Sequence, residues 1–174
     1  MFSSAEILAA GPGDAQAPTI PTGPTFDLRL DTEHPVWVTL GAGIGRPGTW
    51  GGVMGVSLQA GPHLLSLRGA VAFELFGTAA WDVSVLYGRS TRYAQFHTSA
   101  AVGVGLVGGS RQVGDGGLFG RREPLPWVPG IALELQAFVE QSGKTAVGLV
   151  AFGNFNSQQP FAGLALALEF GRLR

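Results

Sequence analysis

The stretch FAGLALALEFGRLR, from Phe161 to Arg174, shows the pattern that decides the fold of this 174-residue chain. Its residues alternate between a mainly large apolar set and a set of small residues with one acid. The first set is Ala162, Leu164, Leu166, Leu168 and Phe170, and the second is Gly163, Ala165, Ala167 and Glu169. Because successive side chains of a strand point to opposite faces, the pattern predicts a β-strand with one apolar and one small or polar face.

The second face of this strand indicates which way the sheet is turned. A soluble sandwich would cover the apolar face with another sheet and present the other face to water. Glycine and isolated charges make a poor water-facing surface, but they suit a crowded polar interior. The alternation therefore predicts a barrel that is apolar outside and polar inside, as in a lipid bilayer.

Eight segments carry this alternation. They are residues 35–45, 52–60, 63–75, 80–89, 94–109, 127–139, 145–155 and 161–174. Eight is an even number, as in single-chain bacterial barrels, and several segments have the roughly ten residues that cross a tilted bilayer. The sequence predicts an all-β, eight-stranded antiparallel up-and-down transmembrane barrel.

The composition agrees with a membrane barrel. Charged residues make up 13% of the chain, against about 25% in ordinary soluble domains. The mean hydropathy is +0.25, yet no run approaches the roughly 20 apolar residues that a membrane helix needs. The net charge of −1 argues against a nucleic-acid partner. The absence of cysteine fits a disulfide-free envelope protein.

Residues 1–33 differ from the rest, and the barrel is expected over 34–174. The segment 11–24 is rich in proline, glycine and threonine and is predicted to be flexible. Ala15-Gln16-Ala17 matches a signal-peptidase site, although no basic region precedes it. Two interpretations stay open: the chain begins inside a longer precursor, or it is a mature chain with a disordered leader.

Loop lengths predict the sidedness of the barrel. With both termini in the periplasm, the short turns after the second, fourth and sixth strands are also periplasmic. The longest predicted loop, 110–126, then lies outside the cell, where outer-membrane barrels carry their long loops. This loop is the candidate contact for a protein partner.

Several charged or amide side chains fall on the inward face. They are Arg68, Glu74, Asp82, Glu134, Gln136 and Glu169, with Gln59 near one end. Isolated charges are costly in a low dielectric, so these groups should pair, with Arg68 as the hub and Glu134 and Glu169 as its partners. A barrel of eight strands is just wide enough for side chains to fill, which favours a polar plug over an ion path. Trp37 also points inward and is expected at the periplasmic mouth.

No motif predicts catalysis, a cofactor or a metal. Gly103, Gly105 and Gly108 spell GxGxxG, but strand alternation runs through them where a dinucleotide site needs a helix. The histidines are far apart and lack ligand spacing. His97 and Ser99 share a face, but residues two apart on a strand do not place a base on a nucleophile. His97 is interpreted as a wall residue.

The segments LYGRS from Leu86 to Ser90, 99–109, GNFNS from Gly153 to Ser157 and 160–174 resemble small outer-membrane β-barrel proteins of the Bacteroidota type. The resemblance implies an outer-membrane location and a barrel fold. It also implies a final strand whose terminal aromatic residue is recognised by the barrel assembly machinery. Here Phe170 is followed by four further residues. The resemblance supplies no catalytic residue.

The expected function is that of an integral, non-enzymatic outer-membrane protein with a structural or surface-interaction role. A subunit of an envelope assembly is one form that this role can take. Its expected partners are outer-membrane lipid and, during biogenesis, the barrel assembly machinery. The main alternative is a soluble lipocalin-like barrel that binds an apolar ligand, which needs the apolar face inside and a charged coat. A narrow pore and a lipid-acting barrel enzyme also stay open.

Overall fold

The computed structural model describes residues 35–46, 50–74, 79–113 and 121–172, without the side chains of 111–113 and 121–122. Within these ranges the chain forms a closed barrel. Its strands are β1 (Val36–Arg46), β2 (Trp50–Ala60), β3 (His63–Phe73), β4 (Ala79–Tyr93), β5 (Phe96–Val113), β6 (Arg121–Ser142), β7 (Thr145–Asn156) and β8 (Phe161–Arg172). Neighbouring strands are antiparallel, including β1 and β8. The predicted eight-stranded up-and-down barrel is confirmed, whereas residues 1–33 lie outside the described residues.

The register of the sheet gives the tilt of the strands. A chain of directly opposed residues runs once around the barrel through Val36, Leu58, Leu65, Tyr87, Val102, Leu133, Gly153, Ala162 and Arg46. It returns to β1 ten residues further along than it started, from position 36 to position 46. The offset along the strands is ten residues of about 3.3 Å, and the circumference of the barrel is eight strand spacings of about 4.8 Å. The ratio of these two lengths corresponds to a strand tilt of about 40° from the barrel axis.

In the described ranges, no helix is long and apolar enough to cross a bilayer.

The two ends of the barrel have different connections. At the end that holds Val36 and Arg172, two-residue turns join the strands at 61–62, 94–95 and 143–144. Gly61 and Ala94 adopt positive φ values of 58° and 52° there, which is the left-handed conformation that tight turns require. We call this the turn end. The opposite end carries the longer connections, and we call it the loop end.

Two of the predicted loops are shorter than the sequence suggested. β4 continues to Tyr93, so the turn expected at 90–93 is replaced by one at 94–95. The flanks of the predicted 110–126 loop are also strands, since β5 reaches Val113 and β6 begins at Arg121. Prolines 124 and 126 suggested a loop, but within the described residues β7 pairs with β6 only from Gly130 onward. At these prolines, the edge of β6 that faces β7 is therefore unpaired. A proline has no backbone N–H, but on an unpaired edge this removes no hydrogen bond between strands.

The apolar face of the sheet points outward. Val104 is 72% exposed, Leu166 64% and Leu133 40%, whereas Glu134 and Glu169 on alternate positions are 4% and 0% exposed. The small residues Ala132, Ala165 and Ala167 pack inside with them. The lipocalin-like alternative required the opposite orientation and is wrong for this structure.

Exposed aromatic side chains gather toward both ends of the apolar face. Those at the loop end are Trp50, Phe73, Trp127 and Phe155, and those at the turn end are Tyr87, Tyr93, Phe96 and Phe170. Trp81 joins the first group, with its ring edge-to-face against Trp127 at 4.1 Å between centroids. Phe161 differs, because it points inward against Phe152. Two aromatic bands on an apolar wall are typical of outer-membrane barrels.

Candidate functional site in the barrel interior

The interior is crossed by Arg68, which lies midway along β3 and is 1% exposed. Its Nη2 donates to Asp82 Oδ2 at 2.7 Å on the neighbouring β4. The same guanidinium donates to the backbone oxygens of Leu133 at 2.6 Å and Gly153 at 3.2 Å. These carbonyls belong to β6 and β7, on the opposite wall of the ring, so a single side chain bridges the lumen.

Asp82 is the carboxylate that balances this cation. Its Oδ2 also accepts hydrogen bonds from Ser84 Oγ at 2.7 Å and from Asn154 Nδ2 at 3.0 Å. Two glycines make room for these donors: a Cβ atom at Gly105 would collide with Ser84 Oγ, and one at Gly130 with Asn154 Oδ1. Charge-assisted hydrogen bonds of this kind compensate for the loss of hydration inside the barrel.

A second arm of the network starts from Glu134. Its Oε2 lies 4.0 Å from Arg68 Nη1. Its Oε1 accepts a hydrogen bond from Gln136 Nε2 at 2.8 Å, and Gln136 Oε1 in turn accepts one from Ser99 at 2.9 Å. The chain of contacts thus links β3, β4, β5, β6 and β7 around one guanidinium.

The structure places the predicted interior residues in three groups. Arg68, Asp82, Glu134 and Gln136 come together as described. Glu169 was expected to pair with Arg68, but it lies near the turn end beside His97 instead. Glu74 was expected inside and is exposed, because β3 ends at Phe73 and the alternation no longer applies beyond it. Gln59 is half-buried, with its amide donating to the oxygen of Gly61.

A separate polar cluster closes the turn end. Ser90 Oγ lies 2.7 Å from His97 Nε2. His97 Nδ1 on the other side of the ring lies 3.5 Å from Glu169 Oε2. The Trp37 ring stands edge-to-face on the imidazole, with 5.0 Å between centroids. We call Trp37, Ser90, His97 and Glu169 the mouth cluster, and all four are at most 5% exposed.

Ser90 is the partner of His97, although the sequence pattern pointed to Ser99 on the same strand as the nearest serine. The hydroxyl that reaches the imidazole comes from β4 instead. In the β4–β5 hairpin Arg92 directly opposes His97, and Ser90 is the next residue along β4 on the same face. Placing the turn at 94–95 instead of 90–93 would have revealed this diagonal pair.

Several buried atoms near the mouth cluster have no hydrogen-bond partner among the described residues. They are Trp37 Nε1, Thr39 Oγ1, His97 Nδ1 and both carboxylate oxygens of Glu169. Thr39 directly opposes Glu169 across the β1–β8 pair. The described part of the chain contains no group of three or more histidine, aspartate or glutamate residues placed to hold a metal ion.

The fold resembles known outer-membrane barrels, although the sequence does not. No family model matches the sequence, and no curated protein sequence matches it either. The N-terminal β-barrel domain of Pseudomonas aeruginosa OprF superposes with a TM-score of 0.56 at 8% identity, covering 79% of this chain and 96% of that one. Neisserial surface protein A superposes with a TM-score of 0.56 at 6% identity, covering 79% and 95%.

At these identities the likeness concerns the fold alone. The structural neighbours are small outer-membrane barrels of eight strands. They support the eight-stranded barrel fold, and they do not support the Bacteroidota type specifically.

Proposed function

We propose that this chain is an integral protein of a bacterial outer membrane with a structural or surface-interaction role. One observation carries the proposal: the apolar side chains cover the outside of a closed barrel, while its buried charges lie within. The eleven residues of β1, at about 3.3 Å each and a tilt of about 40°, span about 28 Å. The apolar band of outer-membrane barrels is about 25 Å tall.

Membrane integration is tested by fractionation. After expression in a Gram-negative host, we expect the protein in a carbonate-washed outer-membrane pellet. We also expect its gel band to shift on boiling, because a closed barrel resists detergent until it is heated. Recovery as a soluble monomer without detergent would overturn the proposal.

The interior network supports a sealed lumen within this role. Arg68 bonds to both walls, and its neighbours Asp82 and Glu134 are themselves held by Asn154 and Gln136. We propose that this network is a plug that stabilises the barrel. Residues that lock one another across an eight-stranded ring leave little room for a water-filled path.

A plugged lumen predicts that the barrel does not conduct ions. We expect the folded wild-type protein to produce no conductance steps in a planar lipid bilayer, because the guanidinium bridge occupies the lumen. Protein denatured by boiling and bilayers without protein serve as controls for leakage. Uniform steps that change in size when Arg68 is replaced by alanine would show an ion path instead of a plug.

The orientation and the partners belong to the same proposal. We place both barrel termini and the two-residue turns in the periplasm, with the loop end outside the cell. The β5–β6 hairpin, which replaces most of the predicted 110–126 loop, then reaches furthest outward and is the proposed contact for a protein partner. We further propose that the barrel assembly machinery inserts the chain, with Phe170 on the exposed face of the last strand as its recognition signal.

Single cysteines test the orientation cleanly, because the chain contains no cysteine of its own. Lys144 and Ser157 are exposed residues at the turn end and the loop end respectively. In intact cells, a membrane-impermeant maleimide should label Ser157→Cys but label Lys144→Cys only after the outer membrane is permeabilised. The reverse pattern would place the termini outside the cell.

A further inference from the structure

We propose that Ser90 is a nucleophile at the turn end of the barrel, with His97 as its general base and Glu169 as the residue that orients His97. The substrate class is a carboxylic ester with an apolar acyl group. This activity goes beyond the structural role proposed above and does not depend on it.

The contacts of His97 are those of a base between a nucleophile and an acid. For the Ser90 hydroxyl to donate to Nε2 at 2.7 Å, the proton of the neutral ring must be on Nδ1. Nδ1 lies 3.5 Å from the Glu169 carboxylate without forming a hydrogen bond to it, and a carboxylate at this position favours this tautomer and stabilises the imidazolium that forms during proton transfer. A contact of this length often tightens only when substrate binds.

The other lumen serines have different partners. Ser84 donates to Asp82, and Ser99 donates to Gln136. Ser57 and Ser66 bond to each other at 2.7 Å. Among the hydrogen bonds of the described lumen, the contact with an imidazole therefore distinguishes Ser90, and Ser99 provides a matched control on the same ladder.

The unpartnered atoms next to the imidazole supply the remaining element of such a site. Trp37 Nε1 is a buried donor without an acceptor, and its ring contacts His97. A buried N–H that lacks a partner costs stability, so its retention needs a reason. Within the proposal, this indole N–H is the donor that stabilises the negative charge developing on a carbonyl oxygen under attack.

The surroundings favour an apolar acyl group. Phe138 directly opposes His97 across the β5–β6 pair and is 1% exposed, while Trp37 covers the imidazole from β1. Ser90 is 5% exposed and lies toward the turn end of β4, so an acyl chain reaches it only when side chains of the mouth cluster move aside. Burial against two aromatic rings is favourable for a hydrocarbon chain and costly for a charged one.

The reaction proceeds in two balanced steps. Ser90 Oγ attacks the ester carbonyl and forms a new ester bond, while its proton passes to His97 Nε2. The same proton then moves to the departing alkoxide as the original C–O bond breaks, which releases an alcohol. Water repeats the sequence on the acylated serine, releases the carboxylic acid and restores Ser90.

A fluorophosphonate probe tests the nucleophile without knowledge of the natural ester. In detergent-folded barrel, we expect the probe to attach to Ser90 with loss of fluoride, as located by mass spectrometry. His97→Gln should slow labelling by at least about 100-fold, whereas Ser99→Ala should label at the wild-type rate. The boiling shift confirms that each variant is folded. Absence of labelling in the wild type, or equal labelling in Ser90→Ala, would overturn the proposal.

Replacing the Ser90 hydroxyl by a thiol shows whether His97 activates the side chain at this position or only contacts it. The alkylation rate of Ser90→Cys by iodoacetamide should reach its plateau well below about pH 8.5, where an ordinary thiol titrates. Adding His97→Gln should remove that advantage, and Ser99→Cys should never show it. The charged groups that bear on this profile are Arg92 opposite His97, Glu140 on β6 and Glu169 on β8. An identical profile for the two thiols would show that His97 is only a wall residue.

Discussion

Replacing Arg68 by methionine should lower the free energy of unfolding of the barrel by about 3–5 kcal/mol. The substitution keeps an unbranched side chain but removes the cation that faces Asp82 at 2.7 Å, inside a site where both side chains are at most 1% exposed. The carboxylate would stay buried without its counter-charge, and the backbone oxygens of Leu133 and Gly153 would lose a donor. Urea unfolding in phospholipid vesicles, followed by the fluorescence of the four tryptophans, measures the change.

Two further variants show whether the effect comes from the buried charge. Arg89→Met removes an exposed arginine and should change the free energy of unfolding by less than about 0.5 kcal/mol. Combining Arg68→Met with Asp82→Asn removes both charges and should recover part of the loss. A loss below about 1 kcal/mol for Arg68→Met alone would contradict the plug.

Leu166→Arg should destabilise the barrel in a lipid bilayer by about 2–4 kcal/mol. Leu166 lies midway along β8 and is 64% exposed, so an arginine there would face the centre of the hydrocarbon layer. Val36 is the first residue of β1 and is 42% exposed. Val36→Arg can reach the headgroups and should cost only about 0–1 kcal/mol. The same vesicle unfolding assay compares the two variants.

The contrast between these positions identifies the surroundings of the barrel. In water, an exposed leucine can be replaced by arginine with a change within about 0.5 kcal/mol. Equal and negligible effects at Leu166 and Val36 would therefore indicate a barrel that lies in water, even though its apolar residues point outward. A large effect at Leu166 alone would place the middle of the wall in lipid.

The local features of the barrel could be predicted from the sequence. The outward sets of β1 and β8, including Val38 and Leu168, follow from alternation because the period of a strand is two residues wherever it lies. The prediction failed where the alternation stops, and where a proline that suggested a loop lies on the unpaired edge of a strand. Glu74 falls one residue beyond β3, and prolines 124 and 126 stand on a strand edge that lacks a partner in the described sheet.

By itself, the sequence determined the number of strands, the face that residues within those strands occupy and the polar character of the interior, because these depend on spacing along one chain. Only the tertiary structure decided which inward residues meet. Arg68 reaches Asp82 and the far wall, while Glu169 reaches His97. The physical reason is the stagger of the closed sheet. The ten-residue offset around the ring moves each strand along its neighbours, and no pattern within one strand records that offset.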